Sequence, residues 1–510
     1  MRKALFTLAA LGIISGAFAG QVVVKFDPRI ELLGVVNFLA RHSEDSQTPQ
    51  DNVYIREISE NFGKFKSHAA VEDLRQIRAA GIPLDALVDL MFLLDPTDLS
   101  MRDSLENFYA QLKIPRQRAE TLIPAFLQDL RDFYSKTDFQ KFYTSHDSFY
   151  HQITEPLQQV FAAQKIPAAL EQFFGVKKSG YLAITAPLFD RVYLSRHHDS
   201  CFVVLVPRRS EDDMPHFCLH FSPFIVQQKV AYCFASDIVD SHWDRFKSSA
   251  ALFVPIAESM RKQKIADWRE CLKQHIAYVA LSETQPDDIR AQLELVSGAR
   301  GGFLYLLEIA DLVEMLYLPN RDKYPTFGDF APELAKHLED LTKIPPQDFS
   351  DRVSARITAE ITDIWNTAVE NCRQLHFPTI SALVKLDMGS YLSQARKVLT
   401  CFLENSPHQD DEHYWIVKYQ LGKVEFLSGN LDSAEAIFND YIRNQPEGEL
   451  LAGAYWRLGL IAEQKGDIDA AEKYYKKALE IDPKLLQAKQ SLNNLYKGGG
   501  KQQIPDYDLR

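Results

Sequence analysis

Apolar residues recur along this chain with two different periods. Val71, Leu74 and Ile77 fall at helical spacing and are followed by Gly81 and Pro83, which predicts a helix that stops near residue 80. Similar segments surround it. From Tyr181 the period shortens to two: the stretches 181–185, 191–194, 201–206 and 216–221 are short, β-branched and aromatic. The turn-rich runs at 196–200 and 208–213 separate them, which predicts an antiparallel meander. Helical periodicity resumes around Ser236. Helix, sheet, helix in one continuous stretch predicts an α+β domain over residues 20–343, with Pro345-Pro346 marking its end.

The C-terminal part repeats. Leu421-Gly422, Gly429, Ala434, Phe438 and Pro446 return as Leu458-Gly459, Gly466, Ala471, Tyr475 and Pro483, all offset by 37 residues. Small residues sit where two helices of one unit approach closely, a glycine lies at each turn, and a proline blocks continuation of the second helix. This spacing resembles the tetratricopeptide repeat, whose period is about 34 residues. The three extra residues fall at 447–451, between units, where a longer loop costs little. Ala395 and Pro407 repeat the Ala434 to Pro446 spacing, so a degenerate repeat is expected upstream, in a helical linker over 344–410. The segment 486–496, with Leu492 and Leu495 on its apolar side, suits the capping helix that ends such arrays. Residues 411–497 therefore form an all-α repeat domain in this reading, and 498–510 a disordered tail.

Met1-Arg2-Lys3, an apolar run from Ala4 to Ile14 and Ala17-Phe18-Ala19-Gly20 follow the order of a signal peptide, with cleavage expected after Ala19. The apolar run is too short to span a bilayer, and no later run reaches eighteen apolar residues. Without Arg2 and Lys3 the net charge moves from −12 to −14. A secreted or periplasmic protein with no transmembrane segment and no nucleic-acid partner is expected, since no Lys/Arg-rich patch stands out. With 46% apolar and 25% charged residues the 510-residue chain has globular composition and length for several domains. Its six cysteines, Cys201, Cys218, Cys233, Cys271, Cys372 and Cys401, include no Cys-x-x-Cys pair, which excludes zinc held by cysteine pairs. Cys201, Cys218 and Cys233 share one strand-rich stretch, where disulfides and buried thiols are both open.

Asp27-Pro28-Arg29-Ile30-Glu31-Leu32-Leu33-Gly34-Val35-Val36 after a short apolar strand, then Asp132-Phe133-Tyr134-Ser135-Lys136-Thr137-Asp138-Phe139 with Phe142-Tyr143, resembles the domain of unknown function 4932. The resemblance covers about residues 22–341 and implies a zincin-like metallopeptidase: a sheet, a helix carrying His-Glu-x-x-His, and a later helix with an acidic residue. Zinc hydrolysis needs two histidines four apart on one helix face, with the glutamate placed to take a proton from metal-bound water. This chain departs from that pattern. Its one four-residue histidine pair, His216 and His220, lies in a predicted strand with Phe217 in the glutamate's place. If His242 stands for the second ligand, Ile238 and Val239 replace the first histidine and the glutamate, and Gln274-His275 falls where the later acidic residue belongs. The catalytic residues are therefore not carried over, and no cofactor is expected. The alternative is a metal-dependent hydrolase with zinc on a rearranged site of His242, His275 and Asp237 or Asp240. The strand trio His216, Cys218 and His220 is a further open possibility. Gly-x-Ser-x-Gly, Gly-x-x-x-x-Gly-Lys and Gly-x-Gly-x-x-Gly are absent.

The repeat register assigns an inner face for a protein or peptide partner: Ile416, Tyr419, Lys423 and Phe426 in the first unit, Trp456, Leu460 and Glu463 in the second, and Gln487, Gln490 and Asn494 in the cap. Tyr419 and Trp456, if exposed, suit a peptide groove, because aromatic anchors dominate hot spots. The alternative is that the repeats are structural, dock on the first domain and bury Trp456. The expectation is an exported scaffold: a catalytically degenerate metallopeptidase-like domain followed by a tetratricopeptide module.

Overall fold

The computed structural model describes residues 21–41, 52–163, 166–197, 199–207, 213–217, 222–285, 289–406, 412–445, 447–448 and 450–496. The proposed leader, the tail, Pro407, Pro446, Cys218 and His220 lie outside these residues. Two compact units divide the chain: Met1–Ala251 with Asp267–Thr284 and Leu312–Glu339, and Leu252–Ala266 with Gln285–Asp311 and Asp340–Arg510. No described helix is long and apolar enough to cross a membrane.

The first unit carries the sheet. Its strands are β1 (Val22–Lys25), β2 (Gly180–Thr185), β3 (Tyr193–His197) and β4 (Ser200–Leu205), in the order β1-β2-β4-β3. β1 pairs parallel with β2, and β2 parallel with β4; β3 and β4 pair antiparallel, with Tyr193 opposite Val204. The antiparallel meander is thus corrected to a mixed sheet with one antiparallel edge strand. Every residue of β2 is buried, as expected of a central parallel strand covered on both faces. The strand expected from Arg191 begins at Tyr193, and of 216–221 only His216 and Phe217 are described, neither within a strand of the sheet.

Helices surround this sheet. Pro28–Ala40 starts where the sequence favours a start: Asp27 caps it by accepting from the Arg29 N–H, and Pro28 fills the first turn, where its missing N–H is no loss. Ala69–Ala79 buries Val71, Leu74 and Ile77 completely and ends at Gly81, whose φ of 92° admits the turn. The helix expected around Ser236 begins much earlier, at Ser222, and runs to Ser241; it packs on the helix Trp268–Thr284.

The second unit is a stack of helix pairs. Glu412–Leu427 with Leu431–Asn444, and Leu451–Lys465 with Ile468–Ile481, are the two clear repeats, closed by Leu486–Tyr496. The expected degenerate repeat is the pair Phe377–Asp387 and Leu392–Asn405, where Ala395 is fully buried like its counterparts Ala434 and Ala471. Packing continues further upstream. Ile289, Leu293 and Val296 of the helix Ile289–Arg300 share one core with Ile361, Ile364 and Trp365 of Pro346–Glu370 and with Ile380, Leu383, Val398 and Val424. A disulfide joins Cys372 to Cys401, tying the end of Pro346–Glu370 to the helix Leu392–Asn405.

Candidate functional site

Contact between the two helices of each repeat is set by glycine. A Cβ on Gly459 would lie 2.3 Å from Cε1 of Tyr475, and one on Gly422 2.9 Å from Cε1 of Phe438. The repeated Gly and aromatic positions are therefore one feature: the ring of the second helix lies on the bare backbone of the first. Gly466, with φ 83°, ends Leu451–Lys465 in the left-handed conformation that glycine tolerates.

The inner face differs from the expected groove. Tyr419, Phe426 and Trp456 are buried, at 5%, 3% and 3% exposure, so the exposed-anchor reading is corrected. Tyr419 sits edge-on to Phe438 and Tyr441 and accepts a 2.8 Å hydrogen bond from Arg457, whose guanidinium also lies over the Trp456 ring. The Trp456 indole N–H donates to Ser491 Oγ at 3.0 Å. Ser491 belongs to the capping helix, so Trp456 is covered inside the repeat module. Of the other inner-face residues, Leu460 is buried; Ile416, Lys423, Gln487 and Glu463 are half-buried; Gln490 and Asn494 are exposed. Glu463 accepts from the Tyr475 hydroxyl at 2.7 Å. The face available to a partner is polar.

In the first unit, His242 follows the helix Ser222–Ser241, with its Nδ1 3.0 Å from both the Ile238 carbonyl and Ser241 Oγ. Asp237 accepts from Lys178 at 2.5 Å and Arg196 at 3.3 Å; Asp240 accepts from Arg269 at 2.8 Å and pairs with Lys273 at 2.9 Å. Burial works against the Asp240 charge, but Lys273 and Arg269 hold its carboxyl below the usual range. His275 is fully buried, bonded through Nδ1 to the Cys271 carbonyl at 2.8 Å, and burial pushes its pKa down to about 4. Among the described residues no three His, Cys, Asp or Glu side chains form a group able to hold a metal, so His242, His275 and Asp237 are not brought together as one. Cys201, Cys233 and Cys271 are buried free thiols.

On the Ser222–Ser241 helix Lys229 and Cys233 stand four apart, and Lys229 lies in the field of Glu270 on the helix Trp268–Thr284. Tyr232 donates to Glu270 at 2.6 Å. Burial pushes the Lys229 ammonium pKa down. The signal that sequence reasoning passed over is the spacing Val226, Val230, Cys233, already helical well before Ser236.

The first stretch that carried the family resemblance meets Phe142-Tyr143, the end of the second, at the head of Pro28–Ala40. Asp27, Arg29 and Glu31 are nearly inaccessible, at 1%, 7% and 1% exposure. Arg29 clamps Asp27 through Nε at 2.9 Å and Nη2 at 2.7 Å, and Lys25 approaches to 3.3 Å. Burial alone raises a carboxyl, yet these two cations hold that of Asp27 far below its usual range. Glu31 instead accepts from the Tyr54 hydroxyl at 2.6 Å, which lies 3.1 Å from that of Tyr150. Phe142 and Tyr143 from the second stretch complete the aromatic surround, at 6.4 Å from Tyr54 and 5.0 Å from Tyr150 between ring centroids.

Comparison with known families finds two matches. A model described as a domain of unknown function (DUF4932) matches residues 22–337, and a tetratricopeptide repeat model matches residues 452–485. No curated protein matches the chain.

Proposed function

The chain belongs to the DUF4932 family and carries a C-terminal tetratricopeptide repeat, and from that premise we propose that it is an exported protein-binding scaffold whose amino-terminal domain keeps a metallopeptidase-like frame without catalytic metal. The carrying observation is the repeat: stacked helix pairs of this kind form protein-interaction modules. The buried aromatics shift the expected contact from an apolar groove to the polar set Lys423, Glu463, Gln490 and Asn494. Two features support the rest of the reading. A sheet, the Ser222–Ser241 helix and the Trp268–Thr284 helix follow one another in the order the resemblance implies, while no His-Glu-x-x-His stands anywhere in the sequence to supply two imidazoles and a general base. The Cys372–Cys401 disulfide and the leader-like first nineteen residues favour an oxidising compartment, secreted or periplasmic.

The binding reading is tested with a photo-crosslinking residue at Gln490 or Asn494 of the full chain in its own host. A discrete polypeptide adduct from these positions, and none from Lys473 on the outer helix, is the expected result; no adduct at either inner position overturns it. Trp456→Ala is unsuitable as a binding probe, because loss of a buried indole disturbs the module itself. The non-catalytic reading is tested by elemental analysis of untagged mature protein, with zinc expected far below one per chain. Stoichiometric zinc lost on His242→Ala would instead establish the hydrolase with a rearranged site.

A further inference from the structure

Asp27 and Glu31 stand one turn apart at the head of the same helix, equally buried, but only one has a counter-charge. Asp27 takes both Arg29 and Lys25, and the remaining Arg29 nitrogen, Nη1, donates to the Leu94 carbonyl at 2.9 Å. No ion pair reaches Glu31 among the described residues. Its partner is a phenol, and the phenols are themselves enclosed: Tyr54 stacks on Phe149 at 4.9 Å, and Tyr150 on Phe26 at 4.0 Å. An ionised carboxylate in such surroundings loses its hydration without recovering it, so the neutral acid is favoured.

The other charged groups of the neighbouring elements have partners of their own, and one pair borders the phenols. On the helix Val53–Phe62, Glu57 meets His146 Nε2 at 2.7 Å, and the His146 ring lies 5.8 Å from Tyr54 and 6.0 Å from Tyr150. On Ala69–Ala79, Arg75 donates to the Leu39 and Ala40 carbonyls at the far end of the Pro28 helix. On Leu84–Phe92, Asp85 pairs with Arg191, and Asp89 faces Ser195. On Phe139–Ser145 and Asp147–Ala163 the facing groups are Tyr143, Asp147 and Tyr150.

We propose that Glu31, Tyr54 and Tyr150 form a proton-sharing latch that holds β1 and the Pro28 helix to the helices Val53–Phe62 and Asp147–Ala163 while Glu31 is protonated, and loosens when it ionises. Burial raises the Glu31 carboxyl to about 7, well above its ordinary 4.5, with the Tyr54 hydrogen bond opposing. The sign follows by linkage. Between those two values the folded chain binds a proton that the unfolded chain has released, so the stabilisation is complete below about 4.5 and is lost as pH rises through about 7.

Two readouts on the full chain test this. Infrared difference spectra between pH 5.5 and 8.5 should show a protonated-carboxyl C=O band that disappears near pH 7 and is missing from Glu31→Gln. Asp73 and Asp89, each held near 6, contribute bands that remain in that variant and are thereby subtracted. Hydrogen exchange, corrected for intrinsic rates, should lose roughly 10- to 100-fold of protection in 53–62 and 147–163 across the same range. Glu31→Gln should lose most of this pH dependence, and only the part that belongs to the Glu57–His146 pair should remain. Tyr54→Phe, which keeps the carboxyl, should keep the band with a shifted frequency and midpoint, and serves if Glu31→Gln fails to fold. Absence of the band at pH 5.5, a midpoint below 5, or identical exchange profiles in wild type and Glu31→Gln overturns the latch.

Discussion

Single atoms decide the packing of the repeats. The ring of Tyr475 occupies the volume that any side chain at Gly459 would need, whereas the Phe438 ring stands further from Gly422. Alanine is the better helix former by about 1 kcal/mol, so propensity favours the substitution and sterics oppose it. At 2.3 Å, contact with a buried ring wins over propensity. Gly459→Ala should destabilise the module by about 1–3 kcal/mol, and Gly422→Ala by less, as read from the chain's C-terminal unfolding transition in denaturant. Equal stability of Gly459→Ala and wild type would show that Tyr475 has another rotamer available. These glycines and their aromatic partners were legible from the 37-residue offset alone. The fate of Tyr419 and Trp456 was not, because whether an inner-face aromatic is exposed depends on Arg457, Ser491 and the capping helix, which no spacing rule encodes.

At the scale of elements, the least repeat-like pair is the one that carries a covalent tie. Phe377–Asp387 and Leu392–Asn405 lack the Leu-Gly of the later units, the glycine of their connection, Gly389, stands one place out of the repeat register, and the Cys372–Cys401 disulfide spans this pair. Closing a loop with a sequence separation of 29 residues removes denatured-state entropy worth about 3–4 kcal/mol. Since stacked pairs stabilise their neighbours, the effect should spread beyond the pair itself. Cys372→Ser with Cys401→Ser should lower the second unit's stability by about that amount and increase exchange in the helix Glu412–Leu427 as well. Loss confined to 377–405 would mean that the units are energetically separate. The mixed sheet shows a limit of the same kind. The two-residue alternation of its strands was visible, but the pairing of β1 with β2 joins positions as far apart in sequence as Val22 and Tyr181, and periodicity carries no information on partners or direction. The early start of the Ser222 helix was hidden because its apolar residues follow directly on the apolar and aromatic stretch 216–221, which reads as a strand.

For the whole molecule, the division into units departs from a cut at residue 343, since the helix Ile289–Arg300 completes the core of Pro346–Glu370 although it lies within the stretch matched by the DUF4932 family. No consensus marks that helix as part of the array; what assigns it is the burial of Ile289, Leu293 and Val296, at 8%, 1% and 2% exposure, against Ile361, Ile364 and Trp365. A fragment spanning residues 20–343 keeps the first three of these side chains and removes the last three. Each large apolar side chain returned to water costs roughly 1.5–3 kcal/mol, and three on one helix face make a contiguous sticky stripe. The fragment should therefore bind a hydrophobic dye and self-associate in analytical ultracentrifugation, while extension to residue 405 restores most of the cover through Pro346–Glu370, Phe377–Asp387 and Leu392–Asn405. Replacing Ile289, Leu293 and Val296 with polar residues should return the short fragment to a monomer but damage the full chain. A short fragment that is monomeric, dye-silent and cooperative in unfolding would mean that this helix finds its cover within residues 20–343, and that the family domain is self-sufficient without the repeat array.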